Sequence, residues 1–163
     1  MATALTTYQS NLKLHFERLN RIWLEELFEV EPADVIVFND PQSHILAAGG
    51  QIFFILDDNI PVGTCAMQYM YDGIYELAKM AVDPAYRGRG YGTLLINAAL
   101  DFTYQANASK IVLITDTKLL GAIRLYERHG FRIVPHTPDP RYKRGNIKME
   151  RELGESVAGS LRM

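Results

Sequence analysis

Between an apolar run that ends at Val82 and another that begins at Leu94, the chain reads Arg87-Gly88-Arg89-Gly90-Tyr91-Gly92. Alternating residues without a Cβ let successive backbone N–H groups converge on one point, which makes a nest for an anion. A helix starting just beyond adds the partial positive charge of its N-terminus. Arg87 and Arg89 bring mobile positive charge to the same spot. This is the chemistry of phosphate or diphosphate binding. The commoner phosphate loops do not fit: GxGxxG requires glycine where Tyr91 or Thr93 stands, and no Gly-Lys-Ser/Thr is present for a Walker A loop.

Other reactive residue types point to less. Cys65, the single cysteine, sits between Thr64 and Ala66 with no histidine beside it. It reads as a small buried hydrophobe rather than a nucleophile, and alone it excludes an internal disulfide. The four histidines, His15, His44, His129 and His136, lack metal-ligand spacing, so no metal is expected. Arg141-Tyr142-Lys143-Arg144 reads as a solvated charge run, and Lys110 and Arg128 as further surface charge. No recognition-helix pattern accompanies them, so a nucleic-acid partner is not expected. Phe16, Trp23 and Phe28 read as helix core. Tyr69, Tyr71 and Tyr75 flank Asp72-Gly73, either as an aromatic lip on the substrate side or as a contact between two copies in a homodimer.

At 163 residues, 48% hydrophobic and 22% charged, the chain has the profile of one soluble globular domain. No apolar run approaches the roughly 18 residues needed to cross a bilayer, and the N-terminus lacks a basic region followed by an apolar stretch. A cytoplasmic protein without a membrane partner is expected. The formal net charge of −2 hides a split: residues 1–60 carry three Lys/Arg against nine Asp/Glu, and residues 61–163 fourteen against ten. The two halves therefore face different chemistries.

The glycine loop needs a strand before it and a helix after it, and the pattern supplies both. Ile74–Val82 reads as a strand ended by Asp83-Pro84, and Gly90–Gln105 as a helix with a broad apolar side. Strict alternation along the strand sets Glu76, Ala78, Met80 and Val82 on one face and Leu77, Lys79 and Ala81 on the other. Upstream, 2–8 suggests an edge strand, 10–28 an amphipathic helix N-capped by Ser10, and 43–48 a short helix closed by Gly49-Gly50. Gln51–Leu56 and Pro61–Tyr71 form a hairpin. Downstream, Ile111–Ile114 is a buried strand, Leu120–His129 a helix stopped by Gly130, and Phe131–Val134 and Asn146–Leu153 are strands around a proline-rich loop. The whole reads as one mixed α/β or α+β domain over 1–153, with a flexible tail at 154–163.

Two segments, in this order, resemble the GNAT superfamily of acyl-CoA-dependent N-acyltransferases. Arg87 to Gly92 fits the family's Arg/Gln-x-x-Gly-x-Gly/Ala diphosphate signature, and Ala122-Ile123-Arg124-Leu125-Tyr126-Glu127-Arg128-His129-Gly130-Phe131 is similar to its A-I-x-L-Y-E-x-x-G-F segment. Glu76 to Val82 looks like its central strand, so the resemblance covers roughly residues 50–152. Many members carry Asn a few residues before the second segment. Here Leu119 and Leu120 stand instead, with Asp116 and Thr117 as the polar groups that could take over its contact.

The resemblance implies a mixed, mostly antiparallel sheet of six to seven strands flanked by about four helices, with Ile74–Val82 and Ile111–Ile114 splayed apart. It implies acetyl-CoA as co-substrate without a metal: the pantetheine arm along Met80, Ala81 and Val82, the diphosphate on Arg87, Gly88, Arg89, Gly90, Tyr91, Gly92 and Thr93. Tyr126 takes the place of the family's general acid at the departing sulfur, and Glu76 that of the general base, acting directly or through water. The implied activity is direct transfer of an acetyl group to a primary amine on a small molecule or a protein. The alternative is a non-catalytic acyl-CoA-binding sensor or regulatory module. Glu25, Glu26, Glu29, Glu31, Asp34 and Asp40 on the acceptor side lean towards a cationic acceptor, and families of this type commonly form homodimers.

Overall fold

The computed structural model describes residues 2–154; the tail expected over 154–163 lies outside them except for Gly154. Seven strands are β1 (Thr3–Thr7), β2 (Gln51–Asp57), β3 (Ile60–Tyr71), β4 (Ile74–Val82), β5 (Lys110–Thr115), β6 (Arg132–Val134) and β7 (Ile147–Glu152). Four α-helices are α1 (Lys13–Leu27), α2 (Pro32–Asn39), α3 (Tyr91–Gln105) and α4 (Leu120–Arg128). The strands form one sheet in the order β1-β2-β3-β4-β5-β7-β6. Every neighbouring pair is antiparallel except β4 and β5, which run parallel. This is the mixed sheet with flanking helices that the sequence predicts.

The two hairpins follow from their turn residues. Asp58 and Asn59 join β2 to β3, and Asp72 and Gly73 join β3 to β4, each pair with positive φ at both positions. That is the turn whose twist matches the twist of the flanking strands. Two local expectations fail. Ser10 does not cap α1, because Ser10–Leu12 forms a separate 3₁₀ turn and the helix begins behind it without a side-chain cap. Helix α2 falls where no element is expected, since its run Val35-Ile36-Val37-Phe38 has no helical stripe. Its signal is at its start: Pro32 occupies the first turn, and Glu31 and Asp34 each accept the other's backbone N–H.

Two apolar clusters cover the two faces of the sheet. Phe53, Leu77, Leu95, Ile111, Ile123 and Met149 lie in the one beneath α3 and α4. Phe16, Leu24, Phe38, Ile52 and Phe54 lie in the one beneath α1 and α2, where the Phe16 and Phe38 rings meet edge to face at 5.8 Å.

The strand that matters most is bent. Against β3, Ala81 pairs with Thr64 and Ala78 with Ala66, so β4 carries one extra residue. Lys79 supplies the bulge, with φ +54. A bulge turns a strand and shifts its alternation. Leu77, Met80 and Val82 consequently all meet the α3–α4 cluster, whereas strict alternation would separate Leu77 from the other two. Register with β5 runs from Ile74↔Lys110 to Leu77↔Leu113 and stops there. Beyond it the two strands part, and Ala78–Val82 is hydrogen-bonded to β3 alone.

Candidate functional site

The parting of β4 and β5 opens a cleft walled by Met80, Ala81 and Val82 on one side and Ile114, Thr115 and α4 on the other. Arg87, Gly88, Gly90, Gly92 and Thr93 line it at one end. Gly88 and Gly90 have φ near +80, a conformation side chains rarely adopt, and a Cβ at either would project into open space. Gly92 is needed for a different reason: a Cβ there would lie 2.8 Å from Leu125 Cδ2, so the small residue seats α3 against α4. Helix α3 has no side-chain cap, which leaves the N–H groups of its first turn free to face the cleft. The charged lining, Lys79, Arg87, Lys118 and Arg128 against Glu26, favours an anion. Arg128 thus belongs to the cleft and is not bystander surface charge.

Arg89 and Tyr91 do not line this cleft. The Arg89 guanidinium donates to Asp57 Oδ2 at 3.0 Å and stacks on the Tyr86 ring. The Tyr91 hydroxyl donates to the same oxygen, and Thr3 Oγ1 lies 3.3 Å from it. These side chains anchor the loop to the end of β2 and leave its backbone and Arg87 facing the cleft.

Tyr126 lines the cleft from α4 and is 8% exposed. Its hydroxyl points at Met80 Sδ, 3.9 Å away, across the gap from β4. Burial pushes the phenol well above its ordinary pKa, so it carries its proton at any physiological pH. Cys65 is fully buried beneath it, with its thiol pushed up to about 12 by burial.

Glu76 stands elsewhere. It lines a second cavity that shares with the cleft not only Leu77, Ala78 and Lys79 but also Trp23 of α1 and Ile114 and Thr115 of β5, with Val37 of α2 and the β6–β7 loop on its far side. Its carboxyl is raised by burial, with Arg141, Lys79 and Lys148 pulling it back and Asp139 adding to the rise. The structure therefore brings Tyr126 together with the glycine loop and sets Glu76 in an adjoining chamber, with the bulged stretch of β4 between them.

Charges that read as solvated in the sequence lie in and behind the wall of that chamber. Asp34, fully buried on α2, pairs with the Lys79 ammonium and, at 2.6 Å, with the Arg144 guanidinium. Arg144 also reaches Glu31 at 3.2 Å and is 13% exposed, so the run Arg141–Arg144 is not a solvated patch throughout. Burial opposes ionisation of Asp34, but the hydrogen bonds from Arg144 and Lys79 overcome it and hold the carboxyl at about 2. Glu29 pairs with Lys143, Glu25 with Arg21, and Asp40 caps Ser43. Of the acidic residues that lean towards a cationic acceptor, Glu31 and Asp34 are therefore buried and spent within the fold, while Glu25 and Glu29 pair only at the surface. A lysine inside the apolar run Leu77 to Val82 was the available signal, because a buried ammonium demands an anionic partner.

Residues 12–131 match the Acetyltransferase (GNAT) family. N-acetylaspartate synthetase from Homo sapiens is 30% identical over 124 residues, which are 74% of this chain and 39% of that protein; the Rattus norvegicus enzyme is 33% identical over 95 residues, 57% of this chain and 32% of its own length. The chain thus spans about two fifths or less of these curated relatives. Among solved structures, an acetyltransferase of the GNAT family from Staphylococcus aureus Mu50 superposes with a TM-score of 0.86 at 22% identity, covering 94% of this chain and all of that one. An N-acetyltransferase from Thermoplasma acidophilum in complex with coenzyme A superposes with a TM-score of 0.72 at 13% identity, over 93% of this chain and 99% of its own. With the family match spanning well over half its length, and the splayed seven-stranded sheet to go with it, this chain belongs to the GNAT acetyltransferase family.

Proposed function

We propose that the protein transfers an acetyl group from acetyl-CoA to a primary amine. The observation that carries the reading is the slit between β4 and β5, with an unpaired strand edge along one wall, an uncapped helix N-terminus at one end and a protonated tyrosine opposite. Each part fits a part of the co-substrate. The backbone of Ala78–Val82 lacks a partner on its β5 side and would take the pantetheine amides as an added strand. The N–H groups around Gly88, Gly90 and Thr93, with Arg87, would hold the diphosphate. Bound acetyl-CoA supplies a thioester already activated for acyl transfer. The names of the N-acetylaspartate synthetase relatives support acetyl as the group transferred.

The protein's own residues then divide the proton work. Glu76, reached from the second chamber, accepts a proton from the ammonium so that the nitrogen can attack, directly or through water. Tyr126 keeps its proton because it is buried, and its hydroxyl is placed to give it to the thiolate that leaves. Arg89, Tyr91 and Asp57 fix the loop that orients the diphosphate.

Release of free thiol from acetyl-CoA across a panel of amines tests the reading. Wild type is expected to turn over at least one primary amine, and Tyr126→Phe to lose about 10²-fold or more in kcat while still binding coenzyme A. Tight binding of coenzyme A without turnover on any amine would instead make the protein an acyl-CoA-binding sensor.

A further inference from the structure

The chamber beside the cleft presents two opposite charges that the fold does not lock together. Glu76 lies on β4 next to the residues shared with the cleft, and no hydrogen bond among the described residues engages its carboxylate. Arg141 lines the same chamber from the β6–β7 loop. Its partner is Asp139, two residues away, at 2.7 Å, and its side chain is 65% exposed. Nη2 donates to Asp139 Oδ2 and Nε to Asp139 Oδ1 at 3.1 Å, so an incoming carboxylate displaces Asp139 only by offering the guanidinium an equally bidentate partner with more of its surroundings desolvated.

The other charges around the chamber are committed. Lys79 and Arg144 are held by Asp34, and Arg144 also by Glu31. Asp116 accepts from the backbone of Lys118 and Gly145. Trp23, Phe28, Val37 and Leu119 make up much of the remaining wall. A ligand therefore meets one carboxylate without a hydrogen-bond partner at the cleft end and, towards the loop, a guanidinium whose partner Asp139 is exchangeable for a ligand carboxylate. An amine alone would satisfy the first and leave the second with Asp139. A carboxylate alone would do the reverse, without a nitrogen to acetylate.

We propose that the acceptor is a small zwitterion, an α-amino acid or close analogue, with its amine at Glu76 and its carboxylate taken by Arg141 in exchange for Asp139. This rests on the acetyl-transfer reading above. It makes Arg141 a specificity-determining residue: a planar guanidinium binds a carboxylate in bidentate fashion, and a carboxylate-free amine gains nothing from it. It also replaces the cationic acceptor suggested by the count of acidic residues, because polyamines would place a second ammonium beside Arg141.

The test compares L-amino acids with their decarboxylated amines, and with spermidine, by thiol release from acetyl-CoA using the full chain. At least one amino acid is expected to exceed its decarboxylated amine tenfold or more in kcat/KM. In Arg141→Ala that preference should fall towards unity, through KM rather than kcat. Equal or better turnover of decarboxylated amines or spermidine by wild type would overturn the zwitterion site and leave acetyl transfer standing. A second readout does not need turnover. With coenzyme A present, the amino acid should raise the melting temperature of wild type more than its decarboxylated amine does, and this difference should vanish in Arg141→Ala. Retention of the difference in Arg141→Ala would overturn the assignment. If no amine is turned over but the Arg141-dependent shift is seen, the transferase reading fails and the amino-acid site holds.

Discussion

A carboxyl group moved out of water holds its proton to higher pH, and Glu76 shows the functional side of that rule. As the proposed proton acceptor it would work only when ionised, so kcat/KM should fall as the pH drops through its raised pKa, placing the acid limb above the ordinary carboxylate value of about 4.3. Glu76→Gln should lower kcat by roughly 10²-fold or more and abolish that limb. An unchanged limb in the variant would assign the titration to another group. Asp34 shows the structural side, with the opposite sign. Its carboxyl is depressed to about 2, so the stability it contributes is fully present above the unfolded value and is lost as the pH falls through the folded one. A shift of that size corresponds to about 2 kcal/mol, and denaturant titrations should show it disappearing between about pH 4 and pH 2. Asp34→Ala, which strands Lys79 and Arg144 without their shared anion, should cost about 3–5 kcal/mol at pH 7. A loss under about 1 kcal/mol would mean that the two cations find water or another partner.

At the scale of elements, the loop between β4 and α3 is fixed from behind. Asp57 at the end of β2 accepts from both Arg89 and Tyr91, so a carboxylate outside the cleft positions the N–H groups inside it. The sign of a single substitution separates this from simple electrostatics. Removing a negative charge near a diphosphate relieves repulsion and would lower the KM for acetyl-CoA. Removing a positioning contact raises it. Asp57→Asn is expected to raise that KM about tenfold with kcat nearly unchanged, the equivalent of one charge-assisted hydrogen bond of roughly 1.5 kcal/mol. A lower KM would sink the positioning role. This loop is also the part of the site most legible in the sequence, because its chemistry is local: glycines, arginines and a helix start within a few residues predict an anion nest with no knowledge of the fold. The Arg89 side chain, expected at the anion, is held by Asp57 instead, a partner 32 residues away that nothing local announces. Helix α2 escaped because an unbroken apolar run masks its period, although Glu31-Pro32 and Asp34 mark its start.

Across the whole molecule, legibility tracks sequence separation. The cofactor half of the site is written in one stretch. The acceptor half is assembled from α2, β4 and the β6–β7 loop, with Asp34 lying 45 residues from Lys79 and 110 from Arg144. Only the fold brings those together, which is why Asp34 and Arg144, charges that look solvated in the sequence, turn out to build a wall with Lys79. The slit between β4 and β5 has a corresponding effect on the molecule as a whole. Unsatisfied peptide groups along Ala78–Val82 amount to a sheet left unfinished, and acetyl-CoA is the piece that would finish it. The amide hydrogens of that stretch that face away from β3 should exchange slowly only when coenzyme A is bound, and the melting temperature should climb with its concentration, by the equivalent of about 2.7 kcal/mol at a hundred times Kd. Exchange that is already slow in the free protein would contradict this. The resistance of this chain to unfolding, and with it its lifetime before proteolysis, would then follow the supply of acetyl-CoA: the proposed co-substrate would also be a folding ligand.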